Sequence, residues 1–234
     1  MIAAAFGRCN SNPSGICLSL LLILLLFSCE NSKSIPSENA RIALRSSVAA
    51  GGAWDLLGFH TGEKVPDFML YSSDGEPFDL YEELGKGKPI VLVNGSYTCD
   101  FSRTNLPSIV NTAQKHNAEV EVVMVYTIDA HPNDTLSPYA VNDTEWVPPN
   151  NIRDNISAPQ PRTYGERVKL ANQWIEESEI SVPVLIDGPD NEYWTKFGQA
   201  PNMCYIISPD GTVAFRETWY NDAELNEAIQ HLSE

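Results

Sequence analysis

Along the 234-residue chain the spacing of apolar positions changes several times, and each change marks an element. Ile16 to Phe27 is an almost unbroken apolar run of 12 residues. That is shorter than the ~20 residues a membrane-spanning helix needs and fits the apolar core of a secretory signal. Residues 30–47 are rich in Ser, Asn and charge without a sustained apolar period, which predicts a flexible tether. Residues 65–70 look like a strand entry, Ser73-Asp74-Gly75-Glu76 supplies a tight turn, and 78–84 returns towards the core. Residues 88–94 form a β-branched apolar run of the kind buried on both faces of a parallel sheet. Phe101, Leu106, Ile109, Val110 and Ala113 then recur at helical spacing and predict a helix over 99–116. A second buried strand at 120–126 completes a right-handed strand–helix–strand crossover. Residues 164–179 are again helical, 182–187 a short strand and 191–197 a short helix. Residues 202–207 and 212–216 pair through the turn Ser208-Pro209-Asp210-Gly211, and 222–232 is a closing helix. Residues 130–164 break this rhythm. They hold Pro at 132, 138, 148, 149, 159 and 161, with little apolar periodicity, and a connection of that kind is usually functional or mobile.

Charge narrows the partners. With 31 acidic against 15 basic side chains the formal net charge is -16, which argues against nucleic acid and against electrostatic docking on anionic lipid. A covalent lipid anchor is still compatible. Leu26-Phe27-Ser28-Cys29 resembles a bacterial lipobox, in which the Cys is lipidated and becomes the mature N-terminus. The alternatives are a plain signal peptide with Cys29 as a free thiol, or a short buried helix. The lipobox reading divides the chain into a signal peptide at 1–28, a tether at 29–60 and one globular domain at 61–234. It places that domain in the cell envelope, touching membrane only through the lipid. Five Cys are too few for a disulfide scaffold. Cys9 and Cys17 leave with the signal and Cys29 is acylated, so Cys99 and Cys204 remain as thiols. His60, His116 and His231 have no Cys or His spaced for zinc, so neither metal nor cofactor is expected.

Cys99 stands where a buried strand gives way to a helix. Unpaired N–H groups and the helix dipole there favour a thiolate, the nucleophilic form, with Ser96 and Thr98 as candidate hydroxyl donors. The alternative is a small buried hydrophobe at a helix start. Cys204 could act as a resolving thiol for oxidised Cys99, or fill the core as strand periodicity suggests.

Val65-Pro66-Asp67-Phe68, Asp74-Gly75, the 88–94 strand, Cys99 and the Pro201 hairpin together resemble the redoxin branch of the thioredoxin fold. Within it, Gly95-Ser96-Tyr97-Thr98-Cys99 and Tyr126-Thr127-Ile128-Asp129-Ala130-His131-Pro132 resemble the iodothyronine deiodinase family. The resemblance covers roughly residues 63–232. It implies an α/β thioredoxin-like fold, with a central mixed sheet flanked by helices and a long Pro-rich insertion. It implies Cys99 as redox nucleophile, His131 as its proton partner and Asp129 orienting that His. Pro201 matches the proline loop that packs beside the reactive Cys. The implied function is a thiol-dependent oxidoreductase that uses an external thiol reductant and a small-molecule or disulfide substrate. The competing readings are a non-catalytic binding module and a peroxiredoxin-like peroxidase. The sequence departs from the deiodinase pattern at Asp100, where that family usually has Pro, and at Pro161-Arg162, where a further His is missing. A dithiol motif is also incomplete, since Ser102 stands at its fourth place. Ser96 fits the hydroxyl position of a peroxiredoxin motif, but Leu92 stands where its Pro belongs. In the Pro-rich segment, Tyr139, Trp146 and Arg162 are the expected substrate contacts of a lid over the site.

Overall fold

A computed structural model describes residues 34–43, 53–140 and 146–232 of the chain. The expected signal peptide and Cys29 lie outside the described residues. After a short 3-10 helix (Trp54–Leu56) the chain forms β1 (Met69–Ser72), β2 (Pro77–Asp79), α1 (Leu80–Leu84), β3 (Ile90–Gly95), α2 (Asp100–Lys115) and β4 (Glu121–Tyr126). It continues with α3 (Pro149–Arg153), α4 (Tyr164–Glu177), β5 (Val184–Ile186), α5 (Glu192–Phe197), β6 (Cys204–Ile207), β7 (Val213–Glu217) and α6 (Asp222–His231). The seven strands form one sheet in the order β2-β1-β5-β4-β3-β6-β7. β3, β4 and β5 run parallel, while β1, β2, β6 and β7 add antiparallel pairings at the flanks. The central mixed sheet implied by the resemblance is therefore present.

The continuous apolar runs of β3 and β4 have their reason in two-sided burial. Val91 and Val93 of β3, with Val122, Met124 and Tyr126 of β4, pack beneath α2, α4 and α6. The alternate residues Ile90, Leu92, Val123 and Val125 pack towards α1 and α5. Period-2 alternation that would separate core from solvent in a one-sided sheet here separates two cores. Each buried Val, Ile or Leu contributes about 1.5–3 kcal/mol, so the strand leading to Cys99 is held firmly from both faces. Among the described residues, no helix is long and apolar enough to cross a membrane.

Part of the stretch expected as a tether is docked on the domain. Arg41 forms an antiparallel bridge with Thr163, the Ile42 N–H donates to the Arg162 carbonyl (2.9 Å), and Ile42 is buried. Trp54, Phe59 and Gly58 likewise lie against the core, and the Arg216 guanidinium donates to the carbonyls of Trp54 (3.1 Å) and Leu57 (2.7 Å). A Ser- and Asn-rich composition hides such docking, because the backbone makes it. At the same sheet edge Lys64 bridges antiparallel to Thr212, and Val213 donates to the Glu63 carbonyl (2.8 Å). The opposite edge, β2, has three residues and starts with Pro77.

The Pro-rich segment is also more regular than its composition implies. It contains α3, one short helix with Pro149 at its first position, where a missing N–H costs nothing. It leads into α4 through a capping box: the Thr163 hydroxyl accepts from the Glu166 N–H, and the Glu166 carboxylate accepts from the Thr163 N–H (both 3.2 Å). We expect Thr163→Ala to cost about 1 kcal/mol, seen as a fall of roughly 2–4 °C in thermal midpoint. An unchanged midpoint would mean the cap is idle.

Candidate active site

Cys99 is the N-cap of α2, and its sulfur accepts the Ser102 backbone N–H at 3.4 Å. This is the position the strand-to-helix pattern predicts. Its surroundings reverse the expected electrostatics. Cys99 is 0% exposed, and burial, the largest effect, pushes its thiol up to about 11 against the Ser102 hydrogen bonds, with the Asp100 carboxylate adding to the rise. In the closed structure Cys99 is therefore a protonated thiol. The helix N-terminus offers stabilisation, but desolvation of a thiolate outweighs it.

The two motifs on either side of α2 are tied together by Thr98. Its N–H (3.0 Å) and its hydroxyl (2.9 Å) both donate to one oxygen of Asp129, while the Tyr126 hydroxyl donates to the other (2.7 Å). The same Thr98 hydroxyl accepts the His131 backbone N–H at 2.9 Å. Ser96 makes a parallel link by accepting the Ala130 N–H at 3.3 Å. Ser96 and Thr98 are thus clamps between two loops, and the Thr98 hydroxyl proton is given to Asp129 instead of the sulfur. Asp129 is fully buried, and burial raises its pKa despite these three donors.

The expectation that Asp129 orients His131 needs correction. Both Asp129 oxygens accept hydrogen bonds, one from Thr98 and the other from Tyr126. The carboxylate facing the His131 ring is Asp100, with Oδ1 at 3.8 Å from Nε2. Two residues apart on an irregular backbone, 129 and 131 send their side chains different ways. His131 is buried, its ring meets Trp146 edge-on at 4.5 Å between centroids, and burial pushes its pKa down to about 4 although Asp100 and a backbone hydrogen bond with Trp146 oppose this. His131 is neutral at pH 7 in this state.

Of the other expected residues, Pro201 lies beside the site. Its carbonyl accepts the Ser102 hydroxyl at 3.4 Å. Trp146 covers His131 and is 54% exposed. Tyr139 turns towards the body of the domain, where its hydroxyl accepts the Trp194 indole N–H at 3.0 Å and its ring lies 5.8 Å from that of Trp54. Arg162 is not brought to Cys99: its guanidinium pairs with Asp134 at 3.0 Å, lining a cavity of about 340 Å³ that includes neither Cys99 nor His131. Cys204 is buried in β6 opposite Val93, and burial raises its thiol well above the ordinary value. Both thiols are free. Among the described residues, no group of three His, Cys, Asp or Glu side chains is placed to hold a metal ion.

Several residues of the site were not singled out from the sequence. Asn151, in α3, donates to the Thr98 carbonyl at 2.8 Å and accepts from the Arg103 guanidinium at 2.9 Å, so it fastens the Pro-rich segment over the Cys99 loop. Arg103 also donates to the Tyr97 carbonyl at 3.1 Å. It lies four residues after Cys99 on α2, a spacing that places both on one helix face and was legible. Gln160 exchanges two hydrogen bonds with the backbone of Asp129, each 3.1 Å. Nothing in the sequence marked Asn151 or Gln160. Phe101, 50% exposed, and the exposed Trp219 meet beside the start of α2 with ring centroids 5.2 Å apart and planes tilted by 47°.

No known family model matches the chain. Solved structures do resemble it. A candidate protein disulfide isomerase from Bacteroides thetaiotaomicron is 18% identical, with 76% of this chain and 92% of that one superposed at a TM-score of 0.52. A hypothetical protein from Sinorhizobium meliloti 1021 is 11% identical over 74% of this chain and 86% of that one, with a TM-score of 0.51. A candidate thiol:disulfide interchange protein from Chlorobium tepidum is 17% identical over 74% and 98%, at 0.49. The chain has a thioredoxin-like fold.

Proposed function

We propose that this protein is a cell-envelope thiol oxidoreductase with one reactive thiol, Cys99. The observation that carries the reading is the joining of two loops at that thiol: Thr98, next to Cys99, clamps Asp129 and the His131 backbone, and Pro201 packs against the first turn of α2. The thioredoxin-like fold puts this constellation at the end of β3, where sheets of this kind carry their chemistry.

Cys99 attacks one sulfur of a disulfide, the sulfur–sulfur bond of the substrate breaks, and a new one forms to Cys99. Once the site opens and water returns to both groups, the thiol proton of Cys99 passes by way of His131 to the leaving sulfur, which departs as a thiol. An external thiol then attacks the Cys99 mixed disulfide, restores the free thiol and carries away the substrate half as a new disulfide. Ser102 stands where a dithiol enzyme has its second Cys, which favours an external resolving thiol. Cys204, packed within β6, favours it too.

At finer resolution we propose the deiodinase-like branch, because the two loops that resemble that family are the two that Thr98 joins. We also propose that Cys29 carries the lipid. The experiment is a panel of alkyl disulfides, hydroperoxides and iodinated phenols with a low-molecular-weight thiol as reductant. Turnover of disulfide with a Cys99 mixed disulfide visible by mass spectrometry is expected. Absence of turnover on every member, with Cys99 intact, would favour a binding module and sink the enzyme reading.

A further inference from the structure

Two buried polar atoms at the site lack hydrogen-bond partners, Oδ1 of Asp100 and Nδ1 of His131. The Asp100 Oδ1 lies 3.8 Å from the other ring nitrogen. Buried polar atoms are paired in the great majority of cases, so two unpartnered ones on the residues beside Cys99 call for a function. Asp129 accepts from Thr98 and Tyr126, and the carboxylate within 4 Å of the His131 ring is that of Asp100. The other charged groups here are Arg103, held by Asn151 and the Tyr97 carbonyl, and Asp154, 3.8 Å from Arg103.

Resting on the enzyme reading above, we infer that Asp100 is the positioning carboxylate of the site, acting on Cys99 and His131 in opposite senses. Its anion, adjacent in sequence to Cys99, disfavours the thiolate; facing His131, it favours the imidazolium. The consequence is an order of events. Cys99 keeps its proton while His131 is neutral. When the proton passes to His131, the Asp100–His131 pair becomes an ion pair and holds that proton ready for the leaving sulfur. Asp100 touches neither substrate nor the reacting sulfur in this scheme.

The test compares the full chain with its Asp100→Asn variant, using Asp100→Ala to separate charge from shape. With an aryl disulfide, whose leaving thiolate needs no proton, Asp100→Asn reacts faster at pH 8, by roughly three- to fourfold for a one-unit fall in thiol pKa, since each thiolate is also less nucleophilic. With an alkyl disulfide, whose leaving group does need one, turnover falls. A merely structural role for Asp100 would move both rates the same way, and that result overturns the inference. His131 is titrated in parallel by nitrogen-detected nuclear magnetic resonance. Its midpoint drops by roughly one unit or more in Asp100→Asn. An unchanged midpoint overturns the inference whether or not the protein turns over disulfides. If the wild type has no alkyl-disulfide turnover, the enzyme reading fails alone and the His131 titration still decides the role of Asp100.

Discussion

Replacing Cys99 by Ser abolishes thiol-dependent turnover, with a loss of at least roughly a thousandfold, because a serine hydroxyl is a far weaker nucleophile than a thiol at neutral pH. The fold persists, since the substitution keeps an N-cap side chain that accepts the Ser102 N–H. A second consequence separates this variant from a generally damaged one. In the native state the buried thiol ionises near 11, against an ordinary value of 9.0. Between those two values the unfolded chain has lost the proton and the folded chain has kept it, so fewer protons are bound on unfolding. Stability therefore falls as pH rises through that window, by up to about 3 kcal/mol from this group. Denaturant unfolding of wild type and Cys99→Ser at pH 8 and pH 11 measures it. The variant loses less stability than the wild type on going alkaline; equal losses would mean that Cys99 is not the buried thiol described here.

Asn151→Ala is expected to raise the alkylation rate of Cys99 by iodoacetamide roughly 5- to 150-fold. The side chain makes two hydrogen bonds, one from a charged guanidinium. Their loss is taken as about 1–3 kcal/mol from the closed arrangement. Cys99 is fully covered in that arrangement, so a reagent must await an opening, and the rate follows the open population. Opening also returns water to His131. Its closed-state pKa of about 4 lies below the ordinary 6.5, so the open form takes up a proton that the closed form refuses. Closure is therefore at full strength above 6.5 and weakens as pH falls towards 4. Alkylation kinetics checked by peptide mass mapping decide the matter. If Asn151→Ala folds and Cys99 reacts no faster, the Pro-rich segment is not what covers the thiol.

How much of this was legible depended on the range of the interactions. β3 and β4 declared themselves because burial on both faces demands unbroken apolar sequence, and α2 and α4 because one face of each must meet the sheet. Cys99 was legible from the change of period at residue 95. The direction of its pKa was not, since complete burial is a product of tertiary packing that no local period reports. Asp129 was assigned to His131 through the family resemblance, whereas Thr98 and Tyr126 are the groups bonded to it. α3 escaped notice because five residues, three of them Pro or Asn, carry no period. The docking of residues 37–43 escaped for a different reason, being made chiefly by backbone groups that every sequence possesses.

The two ends of the sheet have a bearing on how the protein behaves when concentrated. An exposed strand edge offers a neighbour a row of free amides and carbonyls. Here residues 63–64 already occupy the start of that row on β7, and Arg216 draws residues 54–57 across the same flank. On β2 the row is three residues long and begins with a proline that has no amide to offer. Neither margin leaves a long straight template. Self-association by shared strands, the usual beginning of fibrillar deposition, is blocked at both sides, and a chain with a formal net charge of -16 repels its copies as well.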